Sequence, residues 1–195
     1  EEIGPQLKQL DISPRDVRWL VLTHLHTDHA GGLYHFPGVE TVVTRKEYQA
    51  ARGFTGQLAG YLPQHWPDWF KPRLIDFSPE PFANFPRHMK LTSAGDVLLI
   101  PTPGHTSGHM SVLLLEGEQT ICFAGDVSYS QDLFVRGKVD GISFNEGVAR
   151  RTIEQLQTYT KNTPTVYLPS HDPASAERLA KREPIVYAES VLTGN

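Results

Sequence analysis

An α/β fold is what the sequence predicts, and three observations predict it. Short apolar runs of strand length recur at residues 18–23, 40–44, 97–100, 111–115, 120–123 and 165–168. Helical spacing lies outside this β-rich centre, most clearly over 146–159, where Val148, Ile153 and Leu156 are separated by polar residues. Metal-competent side chains follow several of the apolar runs, and strand ends are rigid places from which to build a site. The 195 residues are enough for a single domain, expected to occupy 1–195, with a sizeable core.

In order, residues 6–10 read as the end of a helix stopped by the Ser13-Pro14 turn. Residues 18–23 form the first strand, 33–36 a short helix ended by Pro37-Gly38, and 40–44 a second strand. Residues 46–52 have helical composition and are closed by Gly53. The stretch 54–87 differs: from Pro63 to Pro86 it holds six prolines, interleaved with Trp66, Trp69, Phe70, Phe77, Phe82 and Phe85. Prolines interrupt regular elements while aromatics supply apolar area. One reading is a loop covering the core, with a strand near 74–77. The other is a lid or pocket wall for an apolar part of a substrate, or the contact of a homodimer. From Met89 the pattern becomes a β-meander with turns at 94–96 and 116–118. A strand at 165–168 and a helix at 174–181 complete the chain.

The chemistry is concentrated in Thr23-His24-Leu25-His26-Thr27-Asp28-His29-Ala30-Gly31-Gly32. On an extended backbone His24 and His26 point to one side while Leu25 points to the core. Two imidazoles on one side of a strand end are half of a zinc site. Asp28 and His29 then face a second ion beside the first, and the glycine pair permits a tight loop. The spacing H-x-H-x-D-H after a strand is specific enough to predict a metal site. Three later segments also follow strands: Pro103-Gly104-His105-Thr106-Ser107-Gly108-His109, Ala124-Gly125-Asp126, and Pro169-Ser170-His171-Asp172.

These motifs, in this order, resemble those of the metallo-β-lactamase superfamily, whose members are mostly dinuclear metal hydrolases. The resemblance implies a four-layer αββα sandwich. In that superfamily the first histidine motif follows several N-terminal strands. Here it arrives at position 24 and the chain opens Glu1-Glu2-Ile3-Gly4 without Met, so those strands are expected to be missing from the sequence given. By position, the resemblance assigns His24, His26 and His105 to one metal, Asp28, His29 and His171 to the other, and Asp126 to both. Two Zn²⁺ per chain are implied, though nitrogen and oxygen ligands also accept iron, manganese or cobalt.

Tyr129, three positions after Asp126, resembles a tyrosine of the N-acyl homoserine lactonases within the superfamily. It would donate a hydrogen bond to a lactone carbonyl as charge develops there, with Asp28 giving a proton to the leaving oxygen. The expected activity is therefore lactone-ring opening on a small molecule, with quorum quenching as the outcome. Thioesterases of glyoxalase type share the metal ligands, phosphotriesterases share the chemistry, and a non-catalytic module on this fold is the rival from outside enzymology. β-Lactamases with a cysteine ligand fit poorly, because Asp126 takes the expected place. His109 is read as supporting or packing, His35, His65 and His88 as ordinary surface or loop histidines, Cys122 as buried and inert, and Asp172 as a cap for the last helix.

A net charge of -4 and pI near 6.1 leave no basic footprint, so no nucleic-acid partner is expected. No apolar run approaches the roughly 20 residues of a membrane helix, so no membrane partner is expected either. The single cysteine excludes an internal disulfide framework and suits a reducing compartment, which points to the cytoplasm.

Overall fold

Alternation along the short apolar runs sorts them into two sheets with their inner faces opposed. The computed structural model describes residues 2–53 and 56–187. Helix α1 (Ile3–Gln9) precedes β1 (Trp19–Val21), and a single helical turn, α2 (Thr27–Ala30), follows it. Then come β2 (Glu40–Thr44), α3 (Arg45–Arg52) and β3 (Arg73–Ile75). These three strands make a parallel sheet in the order β1-β2-β3. The second sheet holds β4 (Met89–Lys90), β5 (Val97–Pro101), β6 (Met110–Glu116), β7 (Gln119–Gly125) and β8 (Thr165–Pro169) in chain order. It is antiparallel up to β7, and β8 lies parallel to β7. Between those two strands run α4 (Gln131–Val135) and the long α5 (Glu146–Asn162), while α6 (Ser175–Lys181) follows β8.

The period of two along each strand assigns the layers. Val42 and Ile75 of the first sheet meet Leu99 and Met110 of the second, forming the seam between sheets. On the outer face of the first sheet, Val43 packs with Leu22, Leu33 and Ala51 of α3. Beyond the second, Leu98, Ile100, Leu113, Cys122 and Tyr167 pack against Ile153, Leu156 and Tyr159 of α5. The order is helix, sheet, sheet, helix, the four-layer αββα sandwich. Cys122 is buried in this layer, and burial pushes its thiol up to about 12.

Several local expectations are corrected. Helix α1 ends at Gln9, with Asp11 at φ 56; Ser13-Pro14 instead opens a 3-10 turn, Pro14–Asp16, as a capping box. Residues 33–36 form a 3-10 turn, Leu33–His35, and the strand near 74–77 lies at Arg73–Ile75. The aromatic stretch is mostly core cover: Trp66 stacks on Tyr48 and Phe70 packs edge-on against Trp66 over the first sheet, while Phe82 and Phe85 pack on Tyr159. Large apolar rings beside an open sheet face gain more by covering it than by facing water. Its first two residues, Phe54 and Thr55, lie outside the described residues, as do 188–195 of the expected single domain. His88 is buried rather than at the surface, its Nδ1 2.8 Å from the Glu80 carbonyl oxygen.

Candidate metal centre

The two sheets present their strand ends to one edge, where the seven residues assigned above to metals meet. The chain leaves β1 extended, so His24 and His26 share a side and Leu25 is buried in the core. His26 caps α2 from the N-terminal side, which puts Asp28 and His29 within its single turn. His105 comes from the β5–β6 loop, Asp126 follows β7, and His171 follows β8. Three groups of ligand atoms lie within 4.8 Å of one another: His24, His26 and His105; His24, His29 and Asp126; and Asp28, His29 and His171. His105 Nε2 is 3.0 Å from His26 Nδ1, His171 Nε2 is 3.0 Å from Asp126 Oδ2, and Asp126 Oδ1 is 3.2 Å from His29 Nε2. Asp126 thus sits between the two sets.

The donor chemistry suits divalent cations. His24 Nε2, His29 Nε2 and Asp126 Oδ1 are buried with no hydrogen-bond partner among the described residues, a costly arrangement that ligation would relieve. Burial, then the neighbouring His109, His29 and His105, holds His24 far below the usual histidine range. Burial likewise lowers His26 and His105, which favours the neutral ring that ligates. Burial also opposes a charge on His29, but the Asp126 carboxylate 3.2 Å away outweighs this and raises it. For Asp126, burial works upward, while the close approach of His29 and the charges of His29, His105 and His171 bring it down to about 2.

Around these groups lies a hydrogen-bonded frame. His109 is no ligand here. Its Nε2 accepts from the Asp126 N–H at 3.0 Å, so its Nδ1–H donates to Thr102 Oγ1 at 2.9 Å. Thr102 then donates to Ser111 Oγ at 2.8 Å, and Ser111 to the Ala124 carbonyl at 3.0 Å. Burial holds His109 down to about 3, keeping the neutral tautomer this chain requires. Gly125 is required beside it: its φ is +60, and a Cβ would fall 2.6 Å from His109 Nε2.

Sequence reasoning missed Glu47, on α3. Fully buried, it accepts from the Leu25 N–H at 3.0 Å, Thr106 Oγ1 at 2.7 Å and the Gly108 N–H at 3.2 Å, tying the first histidine loop to the third motif. Gly108 packs so closely that a Cβ would lie 2.2 Å from the Glu47 nitrogen. The only signal in the sequence was a charged residue near the start of a helix, which is ordinarily solvated.

Asp172 is not the N-cap residue of α6, which is Ala174, but its Oδ1 accepts from the Ala174 N–H at 3.0 Å at the start of the helix. Its Oδ2 accepts from the Gln131 N–H at 2.9 Å and from Arg178 at 2.7 Å, joining α4 to α6 beside His171. The carboxylate thus serves the helix start with one oxygen and the buried Arg178 of α6 with the other. Tyr129 stands beside the ligands, its ring centroid 4.9 Å from that of His171 and 6.3 Å from that of His105. Burial, then the charges of Asp140, Asp126 and Asp28, raises its pKa, so the hydroxyl remains a donor at neutral pH.

The ligand cluster opens on a cavity of about 890 Å³, lined by His26, Asp28, His105, Asp126 and Tyr129 on its polar side. Leu58, Ile142 and Phe144 form an apolar wall although 91%, 64% and 77% exposed. Neither Ile142 nor Phe144 stood out in the sequence, since isolated apolar residues in a polar loop are commonplace. Of the aromatic stretch, Tyr61 reaches this cavity, its ring tilted against that of His26 with centroids 4.8 Å apart.

Comparison with known proteins agrees with this fold. The family described as the metallo-beta-lactamase superfamily matches residues 1–174. A probable metallo-hydrolase of Mycobacterium tuberculosis is 34% identical over 166 residues, covering 83% of this chain and 51% of the relative. The N-acyl homoserine lactonase AttM of Agrobacterium fabrum is 30% identical over 189 residues, covering 94% and 68%. Among solved structures, an N-acyl homoserine lactone hydrolase with N-hexanoyl-L-homoserine bound at its catalytic metal centre superposes with a TM-score of 0.72. It is 25% identical, with 90% of this chain and 64% of that one covered. The chain therefore spans about half the length of the mycobacterial relative and about two thirds of the lactonases. Among the described residues no helix is long and apolar enough to cross a membrane.

Proposed function

The chain belongs to the metallo-beta-lactamase superfamily, and from that premise we propose that it is a metal-dependent hydrolase that opens the ring of N-acyl homoserine lactones or similar lactones. The observation that carries this reading is the cavity in which Tyr129, Asp28 and the ligand cluster face an apolar wall. His24, His26 and His105 would hold one cation, Asp28, His29 and His171 the other, with Asp126 shared. Zn²⁺ suits this set best, with iron, manganese and cobalt as substitutes. Bound there, such a pair supplies Lewis acidity and a water acidic enough to attack at neutral pH.

The chain's own residues would do the rest. Tyr129, protonated, donates to the carbonyl oxygen as that oxygen gains negative charge. Asp28, whose side chain is 58% exposed and whose Oδ2 lies 3.4 Å from His171 Nε2, reaches the cavity and would take the proton that the attacking water gives up and pass it to the departing ring oxygen. Leu58, Ile142 and Phe144 receive the acyl chain, positioning the ring against the polar side. Names carried by the AttM relatives and by the product-bound structure support the lactone class.

The test is a panel assay of the zinc-loaded chain with N-acyl homoserine lactones, thioesters, β-lactams and phosphotriesters. Lactones are expected to be opened fastest, and chelation to abolish turnover. Faster thioester or phosphotriester cleavage, or no lactone opening at confirmed metal loading, overturns the reading.

A further inference from the structure

Asp140 lies in the loop between α4 and α5, with no counterpart among the metal motifs. Its side chain is only 4% exposed. One oxygen, Oδ1, holds the turn that follows, accepting from the Ile142 N–H at 3.1 Å and the Ser143 hydroxyl at 3.0 Å. The other, Oδ2, is buried with no hydrogen-bond partner among the described residues. It faces His105 Nδ1 across 4.0 Å, and that nitrogen is likewise buried and unpartnered. The opposite edge of the same ring carries Nε2, which lies 3.0 Å from His26 Nδ1 and 3.5 Å from Asp126 Oδ2, within the ligand cluster.

We propose that Asp140 is the positioning residue of His105: its carboxylate takes the Nδ1 hydrogen, so that the Nε2 lone pair stays turned toward the cations. A neutral imidazole has one N–H, so fixing it on Nδ1 determines which nitrogen can ligate. A carboxylate behind a ligating histidine also sets the ring plane and makes the ring a better donor. Burying a carboxylate oxygen and a ring nitrogen unpaired is costly, and closing their 4.0 Å separation to hydrogen-bond distance would satisfy both. The inference rests on the metal centre proposed above.

The same loop couples this contact to the substrate wall. The Phe144 N–H donates to the His105 carbonyl at 3.1 Å, and the Asn145 N–H to that of Gly104 at 3.3 Å. Ile142 and Phe144 therefore line the cavity from a turn that Asp140 holds and that these two N–H groups fasten to a ligand loop.

Metal binding by the full chain tests this without recourse to turnover. Zn²⁺ competition against a chromophoric chelator and the visible spectrum of the Co²⁺-loaded protein would be recorded for wild type, Asp140→Asn, Asp140→Ala and Asp140→Glu. Asparagine is the telling variant: its carbonyl keeps both bonds of the turn, leaving the amide NH₂ to face His105 Nδ1 and force the hydrogen onto Nε2. Asp140→Asn is expected to weaken one ion about 10–100-fold and to change the Co²⁺ spectrum, while the metal-free protein melts as wild type does. Asp140→Ala should weaken the same ion, and Asp140→Glu should recover part of the loss. Wild-type affinity and spectrum in Asp140→Asn would reduce Asp140 to a loop staple and overturn the proposal alone. A wild-type chain that binds fewer than two ions would overturn the dinuclear centre itself, and this inference with it.

Discussion

Tyr129 is the residue on which the proposed chemistry is most exposed to test. It is not among the metal-ligand groups, yet its ring stands beside two of the proposed ligands at the polar side of the cavity. A hydrogen bond to a charged oxygen contributes about 1.5–3 kcal/mol, so Tyr129→Phe should lower kcat by about 10–100-fold. Metal content and the melting temperature should stay as in wild type, because the ring remains. Unchanged kcat on the best lactone would remove the tyrosine from the reaction. Tyr129 stood out in the sequence only through resemblance to the lactonases, whereas the histidine cluster stood out through local spacing. Glu47 and Asp140 did not. Their roles arise from contacts made 22 to 61 residues away for Glu47, and 35 residues away for Asp140, at distances no local pattern records.

At the scale of elements, α3 is as much a bracket for the site as a cover for the first sheet. Thr44 caps it, accepting from the Glu47 N–H at 3.1 Å, and the same hydroxyl donates to the Gly108 carbonyl at 2.7 Å. One turn of helix thus fastens β2 to the β5–β6 loop, and Glu47 adds the loop after β1. Glu47→Ala would leave the N–H groups of Leu25 and Gly108 buried and unpaired, each costing about 1–3 kcal/mol. Net destabilisation of about 2–4 kcal/mol is expected in urea unfolding of the metal-free protein, with Glu47→Gln falling between. Equal midpoints for all three proteins would show that the carboxylate carries no such burden. The strands were readable because an alternating apolar face announces itself locally. The aromatic stretch was not, since its composition suits a core cover and a pocket wall equally, and only the packing of Trp66 and Phe70 on Tyr48 decides between them.

For the whole molecule, the consequence of the site's position is mechanical. His24, His26, Asp28 and His29 extend from the first sheet, whereas His105, Asp126 and His171 extend from the second. Protein bonds across that edge include the Met110 N–H to the Thr23 carbonyl at 3.0 Å and Thr44 Oγ1 to the Gly108 carbonyl. A pair of cations held by both sheets would bind the folded chain and not the unfolded one, so occupancy must add to stability. At a free concentration about 1,000 times the dissociation constant, one site adds about 4 kcal/mol. For a chain of this size that is a rise of about 8–16 °C in Tm. Removing the metal by chelation and dialysis should reverse it, and readdition of Zn²⁺ should restore it. Amide exchange would locate the effect: faster in 24–30, 104–109 and 125–129 without metal, yet unchanged at the centre of β5–β7, where Leu98, Leu113 and Cys122 pack under α5. A Tm indifferent to metal, or protection lost uniformly across the second sheet, would mean that these seven side chains do not hold the sheets together through ions.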